Sequence, residues 1–209
     1  MLDEYPTTCG FAAGFERDTT KFRAICEAVE RLAMERWIDQ RYAFPEVKVS
    51  NVKISALGAF FESHFDRARY FETKLIVQMK DGSRLLLFWN FVLGFNGVGV
   101  FPGSRVSTTL DANRWDHPWV EAWRHWRIWS GGKEAQASSR GIILERIIYF
   151  GTHGKEVEML IDRPTIGQIL PFKIQFLEQA ENFSPFFLWR AICEGFTGWH
   201  TGSDTRFVY

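Results

Sequence analysis

The sequence predicts an α+β fold with a mostly antiparallel β-sheet of about five to six strands. Alternating apolar segments joined by turn sequences indicate two hairpins, over residues 70–92 and 141–161. Helical apolar spacing indicates an N-terminal helix, a Trp-rich helix and C-terminal helices that pack against this sheet. No regular alternation of strands and helices is visible, which disfavours a parallel sheet.

The N-terminal part divides into a flexible lead-in and a helix. Residues 1–17 show no apolar period, so we expect a single α+β domain over residues 18–209 after that lead-in. Apolar residues recur every three or four positions over 22–37, which is the spacing of one helix face. The other side of this helix carries an i,i+4 ladder of charges, formed by Arg23, Glu27 and Arg31.

Strand patterns follow this helix. Residues 46–55 alternate, with a change of phase that suggests a bulge, and residues 70–79 alternate cleanly. The Asp-Gly turn in residues 80–83 joins the second of these segments to residues 84–92. Because residues 84–92 are apolar on both faces, we expect a central strand that is covered on both sides.

A glycine-rich segment over residues 93–110 follows the central strand. Its glycines at positions 94, 97 and 99 have the spacing GxxGxG. A phosphate-binding loop needs glycines that open directly into a helix, because the helix N-terminus holds the anion. Residues 100–110 instead have an extended pattern, and they contain no Gly-Lys-Ser/Thr sequence. We therefore expect a bend and a bulged strand end here rather than a nucleotide site.

Residues 116–129 are expected to form a helix that carries a tryptophan stripe. The stripe covers about a 120° arc of the helix surface and consists of Trp115, Trp119, Trp123, Trp126 and Trp129. Such a stripe packs as core, anchors a partner, or stacks on bases or sugars. Since tryptophan and arginine are favoured at binding hot spots, the candidate partner-binding residues are Trp119, Trp123, Arg124, Trp126 and Arg127.

The C-terminal part is expected to be helical after a break at Pro171. Ser184 and Pro185 provide a cap and a first-turn proline for a new helix, and Gly195 suits its end. The remaining residues, 196–209, show no regular pattern.

Composition restricts the function. The chain has 209 residues with 25 Lys and Arg and 25 Asp and Glu, so its formal net charge is zero. This balance argues against binding nucleic acid or an anionic membrane through bulk charge. The 3 cysteines have no CxxC spacing, and the 5 histidines form no metal-binding pattern. Without a signal peptide or a membrane-spanning segment in the sequence, we expect a soluble, cytoplasmic protein with no metal.

Ser107 and two later glutamates form a pattern that suggests catalysis. Ser107 begins a Ser-Thr-Thr triplet, and Glu156 and Glu158 form a Glu-x-Glu pair on one face of an expected strand. The pattern resembles the arginine–serine–glutamate class of mono-ADP-ribosyltransferases. This resemblance implies NAD as the cofactor, Arg69 or Arg67 as the arginine that contacts it, and Glu158 as the stabiliser of the ribosyl cation. In the alternative interpretation, both glutamates are the solvated face of a hairpin.

The leading functional hypothesis is a non-enzymatic protein that binds another protein through an aromatic-rich surface. It depends on the lack of a convincing catalytic set and on an aromatic content of 16%. In general character such a chain is typical of immunity proteins, inhibitors, anti-defence proteins and phage accessory proteins, and it needs no cofactor. The alternative is a mono-ADP-ribosyltransferase-like enzyme that uses NAD. A third interpretation is a small-molecule site between the aromatic helix and the sheet. The oligomeric state is left open.

Overall fold

The computed structural model describes residues 10–38, 44–96, 99–110, 113–135, 172–179 and 185–196. The strands in these ranges are β1 (Phe11–Gly14), β2 (Glu46–Val47), β3 (Arg67–Gln78), β4 (Arg84–Asn96), β5 (Gly99–Ser107), β6 (Phe172–Gln179) and β7 (Phe187–Cys193). The α-helices are α1 (Arg17–Ile38), α2 (Ala56–Glu62) and α3 (Asp116–Ala135).

The strands form one sheet in the order β1-β7-β6-β3-β4-β5, and β2 pairs with β3. Every described pair is antiparallel except β3 with β6, which are parallel and meet near one end of each strand. The longest pairing joins β3 and β4, and it contains the predicted hairpin over residues 70–92. The structure therefore confirms the α+β class and the mostly antiparallel sheet, with one or two strands more than expected.

The first core lies between α1 and one face of the sheet. Val29 and Leu32 of α1 are fully buried there, and Trp37 is almost so. The ring of Trp37 packs edge-on against Phe91, with the two centroids 4.7 Å apart. Phe91 in turn stacks on Trp89, two positions earlier on the same face of β4. The predicted N-terminal helix is confirmed, and the apolar stripe is the face that it buries.

The second core lies between α3 and the opposite face of the sheet. Trp115 and Trp119 are both fully buried against Tyr70 and Val92. Trp119 is one of the predicted partner-binding residues, and its ring is enclosed by the chain's own sheet. Its contact with a partner stays a prediction. Two turns of α3 thus use the tryptophan stripe as ordinary core, which is the commonest role of an apolar helix face.

The glycine-rich segment is the hairpin between β4 and β5. Strands β4 and β5 pair from Phe88↔Ser107 to Asn96↔Gly99. The extended pattern predicted after residue 99 is therefore confirmed. Two of its glycines, Gly94 and Gly103, allow neighbouring groups to pack closely against the hairpin. A Cβ at Gly94 would lie 2.7 Å from the ring of Phe65, and a Cβ at Gly103 would collide with the backbone of α3 at Pro118. In the described residues, this segment leads into no helix that could hold a phosphate.

The prediction of C-terminal helices is wrong for the described residues. The C-terminal segments expected to be helical are the strands β6 and β7. In β6, Phe172 and Ile174 are buried whereas Lys173 between them is exposed, which is the period of a strand. At the other end, β1 lies within the lead-in expected over 1–17, and it is ordered by pairing with β7. The predicted hairpin over 141–161 lies outside the described residues.

Candidate functional site

A pocket of about 760 Å³ lies along β5, the strand at one end of the described sheet. Helix α1 forms one wall, β5 and the loop after it form the base, and the first turns of α3 close the other side. The volume falls in the range of roughly 300–1,000 Å³ that is usual for small-molecule sites. The charged lining residues are Arg23, Glu27, Glu30, Arg31, Arg105 and Glu121. This density of charge suits an ionic ligand.

Two of these glutamates hold the outer edge of β5. The Val106 N–H donates to Glu30 Oε2 at 3.0 Å, and the Ser104 hydroxyl donates to Glu30 Oε1 at 2.9 Å. The Ser104 N–H donates to Glu121 Oε2 at 2.6 Å. Carboxylates from both helices thus satisfy N–H groups that an edge strand would otherwise expose. Because a carboxylate has about four acceptor positions, both glutamates retain lone pairs for a ligand.

Burial and neighbouring charges raise the pKa values of two of these carboxylates. Burial raises the pKa of Glu30, and the nearby charge of Glu121 raises it further. Burial also raises the pKa of Glu27 to about 7, with an opposing effect of Arg31 and added repulsion from Glu30 and Glu121. Glu27 and Glu30 therefore lie in the pocket at an energetic cost to their ionised forms. A bound cation would remove that cost by favouring the charged forms.

The donor set fits a hard divalent cation. Carboxylate oxygens are the ligands that Mg²⁺ and Mn²⁺ prefer. Within the described ranges, no group of three or more potential ligands is already arranged around one point. Magnesium does not require such a group, because it is usually bound by one or two carboxylates together with waters and substrate phosphates. Glu27 and Glu30, one turn apart on α1, are the first candidates.

His117 and Cys26 complete the polar lining. His117 Nδ1 donates to the Ser104 carbonyl oxygen at 3.2 Å, since a carbonyl can only accept, and this bond orients the ring. Burial raises the pKa of the Cys26 thiol to about 12. Cys26 therefore remains a neutral thiol at physiological pH and is neither a thiolate ligand nor an activated nucleophile.

Among the described residues, Ser107 is the predicted catalytic residue that lines this pocket. Its hydroxyl donates to the Thr109 carbonyl oxygen at 2.8 Å. Arg69 lies elsewhere, since its register partner across two strand pairs is Pro102, five residues from Ser107. At about 3.4 Å per residue this places Arg69 roughly 17 Å away along the strands. Arg69 is also paired with Glu46, Nη2 to Oε2, at 2.6 Å.

The other predicted site residues are partly described. Glu156 and Glu158 lie outside the described residues. Trp123 and Trp126 are half-buried, and their rings contact His64, which precedes β3. The candidates Arg124 and Arg127 are exposed on the same helix, and the Arg127 guanidinium lies 5.7 Å from the centre of the Trp123 ring. A partner-binding role for this surface stays a prediction.

No protein-family model matches the chain, and no curated protein matches its sequence. Several solved structures match its fold. The Escherichia coli microcin synthetase McbBCD complex with pro-MccB17 bound gives a TM-score of 0.56 at 12% identity, over 91% of this chain and 54% of that chain. A heterocyclase in complex with substrate and cofactor gives 0.54 at 11% identity, over 90% and 28%. YcaO from Methanopyrus kandleri bound with AMPPCP and Mg²⁺ gives 0.50 at 15% identity, over 91% and 56%.

The chain shares its fold with these enzymes. It spans about half the length of the first and third and less than a third of the second. The prediction of a non-enzymatic protein of the immunity, inhibitor or phage accessory type is wrong, because the neighbours that define the fold are a synthetase and heterocyclases. The mono-ADP-ribosyltransferase alternative, with NAD as cofactor, is wrong for the same reason.

The comparisons and the structure support some of the other expectations in part. A protein partner is consistent with the first neighbour, which is a complex with pro-MccB17 bound. In the part of the chain that is described, no helix has the length and hydrophobicity needed to cross a membrane. The cytoplasmic location stays a prediction.

Glu30 and Glu121 are the site residues that the sequence patterns did not reveal. The charge ladder predicted on α1 consists of Arg23, Glu27 and Arg31, on the side of the helix opposite its apolar face. Glu30 falls within the same arc of about 100°, three residues after Glu27. Like charges on one helix face are unfavourable unless something neutralises them. That repulsion was the available signal for a site.

Proposed function

We propose that this pocket binds a nucleoside triphosphate with Mg²⁺ and that the chain belongs to an ATP-using enzyme of the heterocyclase type. The observation that carries the proposal is the convergence of Glu27, Glu30 and Glu121 with arginines around one pocket. A magnesium–nucleotide complex needs both kinds of group. Carboxylates hold the cation, and guanidinium groups pair with phosphate oxygens.

One or two of the pocket carboxylates would hold the metal. Glu27 is the leading candidate, because both oxygens of Glu30 already accept hydrogen bonds from β5. When bound, Mg²⁺ would neutralise phosphate charge and polarise the phosphoryl group. Arg23 on α1 and Arg105 on β5 line the same pocket. Their forked guanidinium groups suit bidentate contacts to a polyphosphate.

The fold neighbours support this assignment. The Methanopyrus kandleri protein of the same fold is bound with AMPPCP, an analogue of ATP, and with Mg²⁺. Of the two other neighbours, the microcin synthetase complex has pro-MccB17 bound, and the heterocyclase is in complex with substrate and cofactor. We infer that the chemistry is ATP-dependent modification of a peptide. In a cyclodehydration, a side-chain nucleophile adds to a peptide carbonyl carbon. Transfer of a phosphoryl group to that carbonyl oxygen lets it leave as phosphate, with ADP as the other product.

Equilibrium binding tests the nucleotide site directly. Isothermal titration calorimetry on the full chain should detect ATP binding that requires Mg²⁺. Glu27→Gln removes a charge at nearly constant volume, and we expect it to weaken Mg²⁺-ATP binding by about tenfold or more, since contacts to charged groups are worth roughly 1.5–3 kcal/mol. Glu178→Gln is the matched control, because Glu178 is exposed on β6, away from the pocket. The proposal is contradicted if the chain does not bind ATP, or if it binds ATP equally well with and without Mg²⁺.

The reaction class has a separate test. Candidate peptides that contain Cys, Ser or Thr are incubated with the chain, ATP and Mg²⁺, and the products are weighed by mass spectrometry. Loss of one water from the peptide, together with ADP and phosphate, supports heterocyclisation. Nucleotide binding without any peptide modification would retain the site assignment and reject this reaction for the chain acting alone.

A further inference from the structure

The pocket has a defined direction along α1, because residues of this helix from Thr19 to Arg31 line one wall. Glu30 of α1 bonds the N–H of Val106 on β5. The lining residues that precede Glu30 therefore lie progressively farther from this contact, towards the N-terminus of α1.

The chemistry of the lining changes along this direction. One end carries the carboxylates Glu27, Glu30 and Glu121. Towards its N-terminus the helix contributes the uncharged side chains of Thr19 and Phe22, and Arg23 lies between them and the carboxylates. Between Thr19 and Glu30 the axis of α1 advances about 16 Å. The two ends are thus separate subsites, one for a cation with phosphates and one for an uncharged part of the ligand.

Phe22 gives the uncharged end a flat apolar surface. Of the described residues that line the pocket, it is the one with a phenyl ring. The side chain is half-buried and packs against the first core, which fixes the ring from behind. Phe22 lines the pocket, and so does Thr19, three residues earlier on the same helix. A rigid ring with polar groups at its edge is the arrangement that binds a nucleobase by stacking.

We propose that Phe22 is the base-stacking residue of this site, so that the nucleobase lies at the N-terminal end of α1 and the polyphosphate extends towards Glu27 and Glu30. This inference rests on the proposed nucleotide function and adds the orientation of the ligand. Stacking tolerates any base, and a hydroxyl group both donates and accepts. The subsite therefore distinguishes a nucleotide from free polyphosphate strongly, and ATP from GTP weakly.

A comparison of two ligands separates the base from the phosphates. Calorimetry of the full chain measures Mg²⁺-ATP and Mg²⁺-tripolyphosphate in parallel. Phe22→Leu should weaken ATP binding by roughly 5- to 150-fold, the equivalent of one base stack, and leave tripolyphosphate binding unchanged. Phe22→Tyr keeps the ring and should bind ATP within about threefold of the wild type. Phe15→Leu is the control, since Phe15 is exposed, contacts Phe186 and is not among the lining residues of the pocket.

A second measurement needs no variant. A 2-aminopurine nucleoside triphosphate is a fluorescent probe whose emission falls when its base stacks, so its emission should decrease when it binds the wild-type chain with Mg²⁺. Equal ATP affinity in wild type and Phe22→Leu, equal loss for both ligands, or probe binding without quenching each overturns the stacking role while the nucleotide site stands. Failure of the wild type to bind either ligand overturns the proposed function as well.

Discussion

Gly103→Ala tests how the fold builds the site, because Gly103 is where α3 comes closest to β5. A Cβ on residue 103 would lie 2.8 Å from the backbone N of Ala122, and closer still to the Pro118 carbonyl oxygen. Ordinary contacts to a Cβ begin near 3.4 Å, so even at Ala122 the gap is about 0.6 Å too short. Both obstructing groups are backbone atoms of a helix, which cannot rotate aside as a side chain can.

The expected cost follows from two terms. Overpacking of a rigid contact costs roughly 1–3 kcal/mol. Displacement of α3 also weakens the hydrogen bond from Ser104 N–H to Glu121, and a bond to a charged group is worth about 1.5–3 kcal/mol. We expect Gly103→Ala to lower the free energy of unfolding by about 3–5 kcal/mol and to abolish Mg²⁺-ATP binding by the fraction that still folds.

Urea denaturation followed by circular dichroism measures this loss. Gly82→Ala is the comparison, because Gly82 has a φ of 81° but no atom within 4 Å of the added Cβ. Its cost should be the backbone strain alone, about 1–2 kcal/mol. If Gly103→Ala is no more destabilising than Gly82→Ala, the close approach of α3 to β5 does not exist as described.

Three further outcomes are expected. Trp119→Ala should cost roughly 3–5 kcal/mol of unfolding free energy, whereas Phe60→Ala, at an exposed position of α2, should change it by less than about 0.5 kcal/mol in the same urea titration. Ser104→Ala removes the hydroxyl that donates to Glu30 and should cost about 1.5–3 kcal/mol, again by denaturation. Burial lowers the pKa of His125 to about 4, so the folded chain binds fewer protons than the unfolded chain between pH 4 and 6.5. The contribution of His125 to stability should therefore fall by up to about 3 kcal/mol as the pH drops through that window. Because the raised pKa of Glu27 acts in the opposite direction over the same range, the test is a comparison of thermal melts, in which the wild type should lose stability relative to His125→Gln as the pH falls.

The parts of the fold that follow from local patterns could be predicted from the sequence. Helix α1 shows a clear apolar period, and the β3–β4 hairpin combines strict alternation with an Asp-Gly turn. The C-terminal strands were missed because Pro171 and the Ser184–Pro185 pair suggested helix boundaries, and these signals obscured the alternation in β6. The strength of a turn or cap signal says little about the type of element beside it.

The candidate site could not be predicted in the same way, because tertiary contacts create it. Glu30 and Glu121 belong to helices that are distant in the chain. They lie near each other because both accept hydrogen bonds from N–H groups of β5. This arrangement depends on Gly103, which the sequence places in a glycine-rich segment. In the structure Gly103 allows the backbone of α3 to approach the backbone of β5. The tryptophan stripe was conspicuous in the sequence, yet Trp115 and Trp119 are ordinary core. The proposed function depends on glutamates that, from sequence spacing alone, are indistinguishable from the charged residues of a helix surface.

A crystal structure of the chain with Mn²⁺ and AMPPCP tests the central claim most directly. Manganese replaces magnesium at oxygen sites and gives an anomalous signal that locates it without ambiguity. We expect one manganese peak within coordination distance of the Glu27 carboxylate, with the polyphosphate between α1 and β5 and the base against Phe22. A nucleotide bound outside this pocket, or a manganese ion that contacts none of Glu27, Glu30 and Glu121, would contradict the account.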